Sequence, residues 1–330
     1  MGRDVVHPPD NRNGRPRDPS LVALTGATGF IGGAVLAHLT GAGDRVRALY
    51  RKRASRTPMP LPGVEWIAGD LGDANSLRAL VTGADAVVHC AGAVRGARGS
   101  GFDRINAEGA GSLARVTASH ARSPRFLLMS SLAARVPGLS DYAASKRRGE
   151  DSVAAAASNL RWTILRPPAV YGPGERELRP LFRWVARGVA PLPAGSTGRF
   201  SLLYVDDLAT AVLCWLAADT GGGRIYELDD GHPAGYDWDT VLTIAARVLR
   251  KGAPVRRIAL PMPLLRVAAW CNLAAAALGG YEPMLTPGKL REISHPDWLC
   301  DSHDFAEATG WRAAVGLEQG LVRAYGPQQT

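Results

Sequence analysis

Leu21-Val-Ala-Leu-Thr25 runs without a break into Gly26-Ala-Thr-Gly29-Phe-Ile-Gly32, and the helical stretch Ala34–Leu39 follows at once. A glycine triplet alone is weak evidence, but strand, triplet and helix in this order form the arrangement that a dinucleotide requires. Gly26 permits the tight turn, Gly29 lets the backbone approach a pyrophosphate, and Gly32 lets helix and strand pack closely. Thr28, Phe30 and Ile31 complete the turn. The phosphates would rest on the helix N-terminus, where unpaired N–H groups and the helix dipole favour negative charge.

Outward from this turn, short aliphatic runs alternate with alanine-rich helical stretches as far as Leu165, the pattern of a parallel sheet covered by helices. Strands are expected at Leu21–Thr25, Val46–Tyr50, Val64–Ala68, Ala86–His89, Phe126–Ser130 and Trp162–Leu165. The fold class is therefore α/β, a doubly wound parallel sheet of Rossmann type with a smaller, mainly helical C-terminal substrate region. Residues 20–172 form the dinucleotide-binding domain, with a returning segment near 199–216. Residues 173–198 and 217–330 form the substrate-binding region, where helices are expected to be shorter and no new regular alternation is seen.

The second strand ends at Tyr50-Arg51-Lys52-Arg53, where an NAD enzyme would carry an acid for the ribose 2′-hydroxyl. A 2′-phosphate would suit Arg51 instead, helped by Lys52 or Arg53. NADP(H) is therefore expected ahead of NAD(H).

The strand Phe126–Ser130 leads into Ser131, and Tyr142-Ala-Ala-Ser-Lys146 follows in a helical stretch. A spacing of four puts Tyr142 and Lys146 on one helical face. A phenol near pKa 10 exchanges protons poorly at neutral pH unless its anion is stabilised. Lys146, with the charge of an oxidised nicotinamide, would supply that stabilisation, and Ser131 would hold a reacting carbonyl. With 8 tyrosines in 330 residues and four lysines, chance predicts only about 0.1 such pairs.

Together these motifs resemble the extended short-chain dehydrogenase/reductases, the superfamily of nucleotide-sugar epimerases and 3β-hydroxysteroid dehydrogenases. The likeness covers roughly residues 20–230. It rests on Thr25–Gly32, Gly69-Asp70-Leu71, His89-Cys-Ala-Gly92, Asn106, Ser130-Ser131, the Tyr142/Lys146 pair and Leu165-Arg-Pro-Pro-Ala-Val-Tyr-Gly-Pro-Gly174. The resemblance implies that Asp70 and Leu71 contact adenine and that Ala91 and Gly92 line the cofactor. It also implies that Pro167 to Val170 border the nicotinamide, that Asn106 orders the site, and that the chain forms a homodimer through the helices flanking Tyr142.

Sugar-nucleotide members hold the diphosphate with an arginine in a segment resembling R-D-Y-I-H-V-x-D. Here the segment reads Arg199-Phe-Ser-Leu-Leu-Tyr-Val-Asp206. Aligning Val205 puts Phe200 at the arginine position, although a one-residue shift restores Arg199. The Ser-Leu-Leu-Tyr-Val run is closer to the hydroxysteroid branch, and the whole chain is similar to bacterial reductases acting on keto-sphingoid bases or keto-ceramides. A hydrophobic small-molecule substrate is expected, with a nucleotide-sugar epimerase or dehydratase and a non-catalytic cofactor-binding subunit as alternatives. Ile258–Gly280 is nearly uncharged. Arg266, Asn272 and two prolines make it too short and interrupted to span a bilayer. It would be a lid, a peripheral membrane contact or an ordinary packing helix. No chemistry is assigned to residues 286–298, and His295 is taken as structural.

Composition narrows the partners. Net charge is +9, but 35 of the basic residues are arginines scattered along the chain without a basic helix or interleaved aromatics, which argues against nucleic acid. The four cysteines form no C-x-x-C pair, so neither a disulfide framework nor a metal site is expected. Residues 1–19 read as a disordered tail without a secretory signal, and the chain is expected in the cytoplasm.

Overall fold

The structure, a computed structural model, describes residues 18–52, 58–96, 99–156 and 160–326. Most of the expected N-terminal tail and Arg53 lie outside these residues.

Seven parallel strands form the central sheet. Six are β1 (Leu21–Thr25), β2 (Arg45–Tyr50), β3 (Val64–Ala68), β4 (Ala86–His89), β5 (Arg125–Met129) and β6 (Trp162–Arg166). The sheet runs β3-β2-β1-β4-β5-β6, and the seventh strand, Arg224–Glu227, lies at the outer edge beside β6. Strand order reverses between β1 and β4, so their carboxyl ends open a crevice where ligands of such sheets bind.

Side chains alternate across the strands and fill two cores. Val22 and Leu24 point to one face, against Val35 and Leu39 of α1 (Phe30–Gly41) and Leu208, Val212 and Trp215 of the helix Val205–Ala217. Ala23 and Val87 point to the other, against Leu80 of helix Ala74–Val81 and Leu113 of helix Gly109–Ala118. Both faces are covered, which explains why these strands read as unbroken apolar runs.

A third core, with Tyr171, Phe182, Leu192, Tyr236, Val241 and Leu321, sits beyond β6 and builds the far wall of the crevice. Three short parallel pairs stitch it together: Ala169–Tyr171 with Leu202–Tyr204, Val189–Pro193 with Arg256–Leu260, and Arg199–Phe200 with Asp297–Trp298. Helices here are not shorter than in the first half, since Trp238–Arg250 has 13 residues and Met262–Gly279 has 18. The latter is also uninterrupted. Pro261 caps it and Pro263 lies in its first turn, where a missing N–H costs nothing. By length and composition alone it is long and apolar enough to cross a membrane, against the expectation from its prolines.

Candidate active site

At the end of β1 the chain turns through Gly26 with φ +76°, and a Cβ there would stand 2.6 Å from the backbone of Cys90 and Ala91. Only glycine suits both restrictions. A Cβ on Gly32 would overlap the Gly26 carbonyl, so the same turn lets α1 start directly against β1. Gly29 caps α1 with no side-chain hydrogen bond, and no acid stands in the first turn. The leading amides of α1 thus face the crevice with neither a capping oxygen nor a carboxylate in competition, which fits a dinucleotide pyrophosphate.

Helix Asp141–Ala154 starts where Ser140 accepts the Ala143 N–H at 2.9 Å and Asp141 adds negative charge to the first turn. Tyr142, Lys146 and Glu150 follow on one face, progressively deeper. Tyr142 is half-buried, edge-on to Phe102 with ring centroids 6.1 Å apart. Lys146 is buried and its Nζ donates to the Met129 carbonyl at 3.0 Å. Glu150 accepts two bonds from Arg166, at 2.9 and 2.6 Å, and one from Ser130 at 2.5 Å. Ser131, at the carboxyl end of β5, accepts the Ala133 N–H at 3.2 Å and hydrogen-bonds the Tyr142 phenol.

Asn106 fixes the loop beneath. Its Oδ1 accepts the Ala93 N–H at 2.8 Å, while its Nδ2 donates to the Ala93 carbonyl and to Ser145 Oγ, both at 2.9 Å. A Cβ on Gly149 would overlap the Asn106 carbonyl, so that glycine lets the two helices meet. Gly92 lies against the Lys146 ammonium and the Asn106 amide.

Burial pushes the Tyr142 phenol up to about 12. The Ser131 hydrogen bond works against this, and the charges of Glu292 and Glu177 add to it. Burial also brings Lys146 down from 10.5 to about 8, with Glu150 opposing. The ammonium is drawn to the Met129 carbonyl, and desolvation keeps the phenol protonated.

These residues open on a cleft of about 1600 Å³. That exceeds the roughly 300–1,000 Å³ of a pocket for one small molecule, so there is room for a dinucleotide and a second ligand. Gly26, Thr28, Gly29, Phe30, Ile31, Gly32, Arg51, Gly92, Ser131, Tyr142, Pro167 and Val170 all line it. Asp70 lines a smaller adjoining pocket with Arg51 and Lys52. Four of the expected residues do not reach the cleft surface. Ala91 donates its N–H to Thr25 Oγ1, Leu71 packs against Gly109, Asn106 supports the Ala93 loop, and Lys146 lies beneath.

The opposite wall holds Leu178, Leu181, Leu192, Phe200, Leu202 and Trp238. Phe200 faces the cleft and packs on Trp238 at 4.9 Å, whereas Arg199 is exposed and donates to the Gly235 carbonyl at 3.3 Å. Of the two alignments, the apolar one describes the wall.

Residues 286–298, to which the sequence assigns no role, close the cleft over Tyr142. Thr286 caps helix Pro287–Ile293, and the buried Glu292 bonds both Ser140 and Lys289. This segment thus grips the start of the Tyr142 helix. His295 lines the cleft, its ring tilted against Trp298 with centroids 4.7 Å apart.

A Rossmann sheet with a glycine turn and a Ser–Tyr–Lys group at one crevice defines a nicotinamide-dinucleotide oxidoreductase. Residues 22–228 match the model of the NAD dependent epimerase/dehydratase family, to which the chain belongs. It is 38% identical over 302 residues to a ceramide reductase of Caulobacter vibrioides, covering 92% of each chain. It is 30% identical to a 2-alkyl-3-oxoalkanoate reductase of Stenotrophomonas maltophilia, over 92% of this chain and 97% of the relative. Among solved structures, MoeE5 in complex with UDP-glucuronic acid and NAD shares the fold, with a TM-score of 0.69, 21% identity, and 92% of this chain and 97% of that one covered.

Proposed function

We propose that the protein reduces a long-chain ketone of the 3-oxo-sphingoid-base or keto-ceramide type to the alcohol, in the cytoplasm and as a homodimer, with NADP(H) preferred to NAD(H). The observation that carries the lipid part is Phe200, an aromatic side chain on the cleft wall that, with Val205 aligned to the family's valine, would take the place of the diphosphate-holding arginine of the sugar-nucleotide members. The ceramide reductase and the alkyl-oxoalkanoate reductase, both similar along nearly their whole length, support the same substrate class.

A bound dihydronicotinamide supplies the hydride. Gly26, Gly29, Gly32 and Arg51 would hold the dinucleotide, and Pro167 and Val170 would border the nicotinamide. Ser131 donates its hydroxyl hydrogen to the ketone oxygen and fixes it near Tyr142. Tyr142, a neutral phenol, gives its phenolic proton to the nascent alkoxide. The Lys146 cation, one turn deeper on the same helix face, offsets the phenolate left behind. Asn106, outside the cleft, keeps the Ala93 loop and the Ser145 turn in place.

Two measurements test the details. Lys146 is charged below about 8 and neutral above it, so kcat should fall about tenfold for each further pH unit on the alkaline side. A plateau reaching pH 10 would remove Lys146 from the proton-transfer group. Arg51→Ala should raise KM for NADPH about tenfold or more, the worth of a charge-assisted hydrogen bond, and leave KM for NADH nearly unchanged. Equal changes for both coenzymes would sink the 2′-phosphate assignment.

One observation favours a second reading. Arg176 and Arg323 also face the cleft, and guanidinium groups suit a diphosphate, as in a nucleotide-sugar epimerase or dehydratase. A panel of long-chain ketones and UDP-sugars separates the two. Stoichiometric NADPH oxidation with ketones supports reduction, and conversion of a UDP-sugar without net NADPH consumption contradicts it.

A further inference from the structure

Helix Met262–Gly279 has a mean hydropathy of 1.3, yet only 11% of it is buried. At about 100° per residue, Leu264, Val267, Trp270, Cys271 and Leu278 share one arc, opposite the buried Ala269 and Ala276. Leu264 is 66% exposed, Trp270 63% and Leu278 92%. An apolar face about 21 Å long, from Leu264 to Leu278, costs free energy in water and marks an interaction surface.

Charge identifies the occupant. Between Asp239 and Glu282 the chain carries cations but no carboxylate. Arg256 is exposed on the strand that leads into the helix, and Arg266 stands at the flank of the apolar face. An apolar stripe bordered by Arg256 and Arg266, with Glu282 the one carboxylate near its far end, suits a helix that lies in the headgroup plane of an anionic bilayer. Spanning the bilayer would strip the Ala269 side from the body, where Asn272 donates to the Leu285 carbonyl at 2.9 Å.

The helix is also tied to the cleft. Tyr281, just past its C-terminus, bonds Asn272 at 2.6 Å, and Glu282 and Met284 line the cleft three residues further on or less. We propose that Met262–Gly279 docks the protein flat on an anionic phospholipid surface, with the cleft mouth at Glu282–Met284 held beside the bilayer. The use of this surface rests on the lipid-substrate reading, because an apolar ketone would then pass from membrane to cleft without crossing water. The docking itself requires no ketone.

Flotation of the full chain with vesicles tests it. The protein should float with vesicles of phosphatidylcholine and phosphatidylglycerol, several-fold less at 0.5 M salt, and poorly with phosphatidylcholine alone. Leu264→Glu/Leu278→Glu should lower the bound fraction at least tenfold while NADPH binding and melting temperature stay unchanged. If that pair misfolds, Leu278→Glu alone, at the exposed end of the helix, should still lower it several-fold. Absence of flotation, equal flotation of the folded variants, or resistance to alkaline carbonate extraction would each overturn the proposal. So would a wild-type dimer that the substitutions dissociate and that never floats. Because the vesicles contain no ketone, failure here leaves the reductase reading intact, and ketone turnover without flotation would overturn only the docking.

Discussion

Tyr142→Phe is expected to lower kcat for ketone reduction about 10²–10⁴-fold, the usual contribution of a positioned proton donor, with cofactor affinity and melting temperature nearly unchanged. The substitution deletes one oxygen and keeps the ring that packs edge-on to Phe102, so it removes chemistry rather than structure. Ser131 loses its partner but remains bonded to the Ala133 N–H. Ser131→Ala should cost less than loss of the phenol, because it removes positioning and leaves the proton donor in place. Steady-state rates on any accepted ketone decide the matter, and a Tyr142→Phe enzyme as fast as the wild type would eliminate the proton-transfer assignment.

Glu150→Ala should destabilise the fold by about 3–5 kcal/mol, the cost of breaking a buried ion pair and leaving the other charge uncompensated. Glu150 is buried beneath the Tyr142 helix and is bonded to Arg166 on β6 and to Ser130 at the end of β5. It therefore clamps the helix to two strands. Glu227, 3.9 Å from Arg166, would take up part of the orphaned charge, which favours the lower end of the range. Glu150→Met combined with Arg166→Met should recover much of the loss, since apolar replacement of both partners is often near neutral. Denaturant unfolding measures each. A single-variant loss under 1 kcal/mol would mean that the pair is not what holds the helix.

The parts of this architecture that were legible in the sequence are those set by local chemistry. β1, β3 and β4 have the bounds expected from their apolar runs, and β2 and β5 begin one residue earlier, at arginines that the hydrophobic pattern hides. The strand Arg224–Glu227 gives no such signal. It lies at the sheet edge with Ile225 exposed, so Arg-Ile-Tyr-Glu alternates too little to be read. The Ser–Tyr–Lys group was legible because helical spacing fixes which face a residue occupies. How deep that face sinks is a tertiary property, and depth is what separates Lys146 from the cleft and moves it onto the Met129 carbonyl. Glu292 carried no sequence signal for its contact with Ser140, 152 residues away, and the Arg166–Glu150 pair likewise joins a helix to a strand that only the fold brings together.

In the proposed reaction hydride passes directly from the reduced cofactor to a ketone carbon, with Tyr142 supplying the proton. This transfer is tested most directly by incubating the enzyme with NADPH deuterated at C4 and a 3-oxo-sphingoid base, then locating the label by mass spectrometry. One deuterium is expected on the carbinol carbon of the product, with a stoichiometric amount of NADP⁺ and almost no labelled alcohol from Tyr142→Phe. Recovery of the ketone unreduced with NADPH unconsumed, while a UDP-sugar added to the same mixture is epimerised, would overturn the reductase reading.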